Sequence, residues 1–233
     1  DHDVGLHPCD SSGPVGYVDG VYTSSPEDDE TVSEIRPYHH GDLRDALIAA
    51  GLDLTRAGGP AALTVRAATR RAGVSPNAAY RHFADRAALL QAVRVAIQQR
   101  MAAGMGTMDQ EADTTETAIA MLRAVGLGYI RFALTEPGWF SVAFFGEGAA
   151  QRAFGDTAWP APFVALETAL DALVTTASLA PADREGAEWP CFAAVHGFAE
   201  LALRGPLRGK DTDSLMTLAE RTVDTTIAGL LGR

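Results

Sequence analysis

Between Leu63 and Leu90 the chain reads LTVRAATRRAGVSPNAAYRHFADRAALL, and the polar groups of this stretch suit nucleic-acid recognition. Ser75, Asn77 and Arg81 offer a hydroxyl, an amide and a guanidinium, which can pair with base edges in a major groove. Tyr80 and His82 suit the sugar-phosphate backbone or a thymine methyl. Arg66 and Arg70 carry fixed positive charge for phosphates, with Thr64 beside them. The spacing matters as much as the residue types. Thr64 is placed to cap a short helix over Val65 to Ala72, and Gly73-Val74 forms a tight turn. Ser75 then caps a second helix with Pro76 at its first position, where a missing N–H costs nothing. Two short helices across a Gly-containing turn make a helix-turn-helix, whose second helix enters the groove with its N-terminal residues facing the bases.

The flanking elements must hold that pair in place. From Gly41 to Ala57, Leu43, Leu47, Ala50 and Leu54 repeat at four, three and four, which predicts an amphipathic helix ending at Gly58-Gly59. At its start, His39, His40 and Arg44 can meet a phosphate, although exposed histidines without a role fit equally well. Phe83 is expected in the core. Asp85 caps a fourth helix, with Leu89, Val93, Ile97 and Met101 as its buried stripe and Gly104 and Gly106 at its end. A longer helix follows over 114–135, broken by Pro137-Gly138. WFSVAFF (139–145) is short and aromatic, and the Gly-Ala-rich stretch to Gly155 is expected to be loop and broken helix. Further helices are expected from Pro162 to about Ala177, from Pro181 through Arg204, and from a cap at Ser214 through Leu231. The architecture is all-α, with about nine helices.

Residues 38–105 resemble the N-terminal domain of the tetracycline-repressor (TetR) family of bacterial transcription regulators. The residues that carry the likeness are YHHGDLRDALIAAGLDL, TVRAATRRAGVS and AAYRHFADRAALL. Further on, CFAAVHGFAELAL is similar to the branch of that family named for a Trp-His-Gly signature: His196 and Gly197 match it, and Phe192 stands at the Trp position. Thr69 departs from the small Ala usual before the turn, and Ala84 lies where many relatives carry a Lys, which implies one fewer phosphate contact. The resemblance implies a dimeric repressor. Its operator DNA would be bound by the head, and its small-molecule effector and dimer contacts would belong to the second domain.

Net charge bears on the DNA expectation only after it is divided. The 233 residues carry −11 overall. Residues 1–36 hold nine acids and one base, 37–100 hold four acids and nine bases, and 101–233 hold seventeen acids and nine bases. Only the helix-turn-helix segment is positive, which favours DNA as its partner. Residues 1–36 read as an acidic leader, with a hairpin signal at 17–22 where Asp19-Gly20 joins two β-forming pairs. The domain reading is then a leader over 1–36, a DNA-binding head over 37–84, a connecting helix over 85–106, and a ligand-binding and dimerisation domain over 107–233.

A hydrophobic share of 47% without eighteen consecutive apolar residues predicts a globular chain and no membrane partner. Cys9 and Cys191 are too few for a disulfide scaffold, and the start is acidic rather than laid out as a signal peptide, so the expectation is cytoplasmic. For the second domain, the apolar stripes Phe192-Val195-His196-Ala199-Leu203 and Met216-Ala219-Val223-Ile227-Leu230 fit a homodimer through the last two helices, or an internal core. Met101, Met121, Trp139, Phe140, Phe144 and Phe192 suit a ligand cavity, with His196 as its one titratable group. No metal, cofactor or catalytic site is expected: HExxH, GxSxG, P-loop and CxxC motifs are absent. Cys191 and His196 also sit about 140° apart around a helix. A ligand carrier or protein-interaction module with a secondary DNA head is the competing reading.

Overall fold

A computed structural model describes residues 40–106, 112–145 and 159–232, with side chains from residue 43 onward in the first helix. The leader, its hairpin signal, His39 and most of the Gly-Ala-rich stretch lie outside the described residues. Those that are described form nine α-helices and no strand, an all-α fold. In chain order these are α1 (His40–Gly58), α2 (Val65–Ala72), α3 (Pro76–Tyr80), α4 (Arg86–Ala103), α5 (Thr115–Thr135), α6 (Pro137–Phe144), α7 (Ala161–Thr175), α8 (Glu188–Leu203) and α9 (Thr212–Leu230).

The capping residues set the first boundaries. Thr64 Oγ1 accepts the Ala67 N–H at 3.0 Å, Ser75 Oγ the Ala78 N–H at 3.3 Å, and Asp85 Oδ1 the Ala88 N–H at 2.7 Å. Each satisfies one donor that a helix start leaves open. Gly73 ends α2 at φ 70°, a conformation that a Cβ would oppose. Arg71 pairs with Asp53 at 2.9 Å, which ties α2 to α1, and Arg86 donates to the Leu63 and Pro60 carbonyls, which ties α4 to the segment between α1 and α2.

Tyr38–Arg233 is one compact unit with two apolar cores. The first gathers Leu47, Leu63, Ala68, Ala79, Phe83, Leu89, Val93 and Ile97, together with Trp139, Val142 and Ala143 of α6. The second gathers α5 and α7–α9 around Met121, Ile130, Phe140, Leu170 and Ala199. Helix α4 passes between them, with Ile97 in the first core and Met101 in the second. Helix α5 is the one described helix long and apolar enough to cross a membrane, although it lacks eighteen consecutive apolar residues. Here it is the central helix of the second core, in contact with α6, α7, α8 and α9.

Three boundaries differ from those the sequence predicts. The eighth helix starts at Glu188 rather than Pro181, because Pro181–Asp183 is a lone 3₁₀ turn and Gly186 takes φ 78°. Asp211, not Ser214, caps α9: its Oδ1 accepts the Ser214 N–H at 2.8 Å. Helix α7 stops at Thr175, two residues short of Ala177.

Candidate functional site

The positive segment owes its charge to nine arginines, and the fold uses most of them internally. Arg44 lies 5.4 Å from the centroid of the Phe83 ring. Arg56 pairs with Glu136, Arg71 with Asp53, and Arg86 with backbone carbonyls. Arg94 donates to the Val142 carbonyl at 2.9 Å, and Arg100 lies over the Trp139 ring at 5.3 Å. Arg66, Arg70 and Arg81 are exposed and have no ion pair among the described residues. They occupy α2 and the end of α3. Ser75 and Asn77 are exposed as well, and Tyr80 is 54% exposed, while Ala79 beneath them is buried.

Two details modify the sequence reading of this face. Helix α3 is only five residues long, so Arg81 is its C-cap and His82 lies in the following turn, half-buried. The hydroxyls of Thr64 and Ser75 accept the Ala67 and Ala78 N–H groups, so these two backbone donors are not open to phosphate, while each hydroxyl keeps its own hydrogen to donate. Thr64 and Arg44 are exposed; His40 opens α1, and its side chain lies outside the described residues. Thr69 is buried and donates to the Arg66 carbonyl at 3.1 Å, which accommodates the hydroxyl where a small Ala is usual.

In the second core a cavity of about 50 Å³ opens between α5, α7, α8 and α9. Among the residues expected to line it, Phe144 and Phe192 do. Met101, Met121 and Phe140 are buried in the surrounding core, outside the wall. Trp139 lies in the other core, where its Nε1–H donates to the Leu52 carbonyl. The turn of α6 explains the division. Phe140 faces the body and Phe144, four residues on, packs against both cores, whereas Trp139, Val142 and Ala143 share the face toward α1 and α4. Aliphatic side chains that the sequence does not mark as cavity-lining share the wall, among them Leu122, Val125, Leu166, Val223 and Ile227. Their spacing marks them as interior but not as bordering empty space.

His196 is also outside the wall. Its Nδ1 lies 2.8 Å from the Tyr129 hydroxyl, and its ring stacks on Phe192 at 5.1 Å and on Phe145 at 5.5 Å. Burial lowers the imidazole's pKa below the ordinary 6.5, with Glu200 opposing and Arg204 reinforcing. Burial likewise raises the Tyr129 phenol well above its usual value. A neutral imidazole and a neutral phenol therefore share one hydrogen bond at the back of the aromatic cluster. The stripe expected on α9 is turned into its own protomer: Ala219, Val223 and Ile227 are buried against α5 and α8. On α8 the line Trp189, Ala193, Gly197, Leu201 is exposed.

Comparison with known proteins matches two separate stretches of the chain. Residues 47–93 match the model for bacterial regulatory proteins of the tetR family, and residues 122–226 match a tetracyclin repressor-like C-terminal domain. No curated protein matches the sequence. Among solved structures, the chain is similar to a protein of unknown function from Rhodococcus sp. RHA1, with 28% identity, 83% of this chain and 98% of that one covered, and a TM-score of 0.59. It is also similar to a TetR variant from Acinetobacter baumannii AYE in complex with minocycline, with 22% identity, coverage of 83% and 96%, and a TM-score of 0.58. A third likeness is to a TetR transcriptional regulator from Streptomyces coelicolor, with 19% identity, coverage of 81% and 97%, and a TM-score of 0.56. The last two likenesses bear on the fold alone.

Proposed function

The chain belongs to the TetR family of bacterial regulatory proteins, and on that premise we propose that it is a homodimeric repressor whose operator binding is modulated by a small molecule. The single observation that carries the DNA part is the set of unengaged arginines. Of the positive segment's nine, those left without an internal partner among the described residues are Arg66, Arg70 and Arg81, on the surface of the helix-turn-helix. Arg66 and Arg70 hold phosphates and fix register; Ser75, Asn77 and Arg81 meet base edges, and Tyr80 and His82 touch the backbone or a thymine methyl. Residues 37–84 act as the reading head, 85–106 as the connection, and 107–233 as the effector and pairing domain.

Pairing is supported by the exposed line on α8, where Trp189 (47% exposed) and Leu201 (46%) flank the small residues Ala193 and Gly197. Small residues at spacings of four let a second helix approach closely. Two heads carried this way meet half-sites about one DNA turn apart. The effector acts by favouring one of two head separations, through α4 and α6, the helices shared between the two cores. The experiment is a selection of bound duplexes from a random pool. The reading expects recovery of a two-fold-related sequence; recovery without any shared sequence would overturn it.

A further inference from the structure

The wall of the cavity says what kind of molecule it accepts. None of the described residues that line it is Asp, Glu, Lys, Arg, His, Asn or Gln. The few polar groups in the wall are already used or neutral. The Tyr129 hydroxyl is engaged with His196 Nδ1, and Thr226 Oγ1 donates to the Thr222 carbonyl at 2.8 Å. The Cys191 thiol has its pKa pushed up to about 11, first by burial and then by Glu188, so it stays protonated and a poor nucleophile. What remains is hydrocarbon and ring faces: Tyr129, Phe144, Phe163 and Phe192 among aliphatic side chains. A charge entering here would leave water and find no counter-charge among the described lining residues, which is strongly unfavourable.

Resting on the regulator reading above, we infer that the effector is an uncharged, apolar molecule, held without ion pairing and without a covalent bond. Its size is constrained too. The cavity of about 50 Å³ is smaller than the roughly 150 Å³ of a dry cavity that admits benzene. Even one aromatic ring must therefore push a wall residue aside. Phe144 is the wall residue carried by α6, and it is only partly buried. Displacing it transmits the presence of ligand to the helix that also packs in the head's core.

Calorimetric titration of the full chain with toluene, benzoate and benzylamine tests the class directly, since the three share a ring and differ in charge. Toluene should bind at one site per chain, and both charged analogues should be weaker by about tenfold or more. Val195→Phe, which fills the cavity, should weaken toluene by a similar factor while binding to a selected duplex is kept. Cys191→Leu, a smaller filling change, serves if the first variant does not fold. Equal affinity for either charged analogue, no binding of toluene, or indifference to both fillings would overturn the inference. The two readings fail separately. A chain that takes toluene but selects no DNA sequence contradicts the regulator reading alone, and one that selects DNA but binds the charged rings contradicts only this one.

Discussion

Trp139 Nε1 donates its hydrogen to the Leu52 carbonyl at 2.8 Å, joining α6 to α1. Around this contact, Arg56 and Arg100 lie over the indole at 5.1 and 5.3 Å, and Arg56 pairs with Glu136. At the other end of α6, Arg94 and Gln98 of α4 reach the Val142 and Ala143 carbonyls. The opposite face of the same helix carries Phe140 and Phe144 into the aromatic cluster, with Phe144 in the cavity wall. An eight-residue helix is thus held at both ends by helices of the first core and touched by whatever enters the second.

The tightest approach between α6 and α1 gives the first prediction. A Cβ on Gly138 would lie 2.0 Å from the Arg56 carbonyl oxygen and 2.6 Å from that of Thr55. Both are backbone atoms, so Gly138→Ala has to shift one helix against the other. Stability should fall by about 1–3 kcal/mol, as for other overpacked sites, and effector should no longer change DNA affinity by the wild-type factor. Denaturant melts and DNA titrations with and without ligand measure the two effects. A variant as stable and as responsive as wild type would remove α6 from the account.

The indole's donor and its packing are tested together by one substitution. Trp139→Phe keeps a ring beneath the two guanidiniums and deletes the donor to Leu52. The expected loss is at least about 1–3 kcal/mol, from an unsatisfied Leu52 carbonyl and the lost ring contacts, read from the midpoint of urea unfolding. No change in midpoint would mean that neither the indole donor nor its larger ring holds α6 to α1.

Local chemistry was well exposed in the sequence, and partner choice was not. Thr64, Ser75 and Asp85 were legible as caps, and Gly73 as a stop, because those roles depend on a few neighbouring residues. The stripe on α9 was visible, but periodicity says only that a face is buried and not against what. Val223 and Ile227 proved to face their own protomer. WFSVAFF is apolar on every side but for Ser141, so nothing in it separates Trp139, which faces the head, from Phe140, which faces the body. The cavity was illegible for a related reason: empty space depends on how Leu122, Val195 and Ile227 fail to fill it. Gly186, whose φ is 78°, was the overlooked sign that α8 begins late.

Capping gives a prediction specific to the head. Thr64→Ala and Ser75→Ala each remove the acceptor for one helix-start N–H. Each should cost about 1 kcal/mol of stability. Ser75→Ala should also weaken the preferred duplex more than a scrambled one, because Ser75 is assigned to a base edge. Equal weakening of both duplexes would confine Ser75 to its capping role.

Acid sensitivity follows from His196. Its pKa is lowered from 6.5 in the fold, so as pH falls the unfolded chain takes up the proton first. This contribution to stability is complete above pH 6.5 and is lost as the pH drops below that value toward the lower, folded one. His196→Gln keeps an acceptor for Tyr129 and cannot titrate. Between pH 6.5 and about 5, above the usual carboxylate range, wild-type unfolding midpoints should decline more steeply than the variant's. Parallel declines would assign the acid sensitivity to other groups.

Binding of the full chain to its selected duplex and to a scrambled one, across a range of salt, tests the central claim most directly. For wild type, the selected duplex should be preferred, and the logarithm of affinity should fall linearly with that of salt. Arg70→Ala should weaken both duplexes alike and reduce the slope by about 0.9 for each phosphate left unneutralised. Arg81→Ala should instead erase about 1–3 kcal/mol of the preference for each base pair it reads. The account is contradicted if Arg81→Ala leaves the preference intact, or if wild type binds both duplexes equally at every salt concentration.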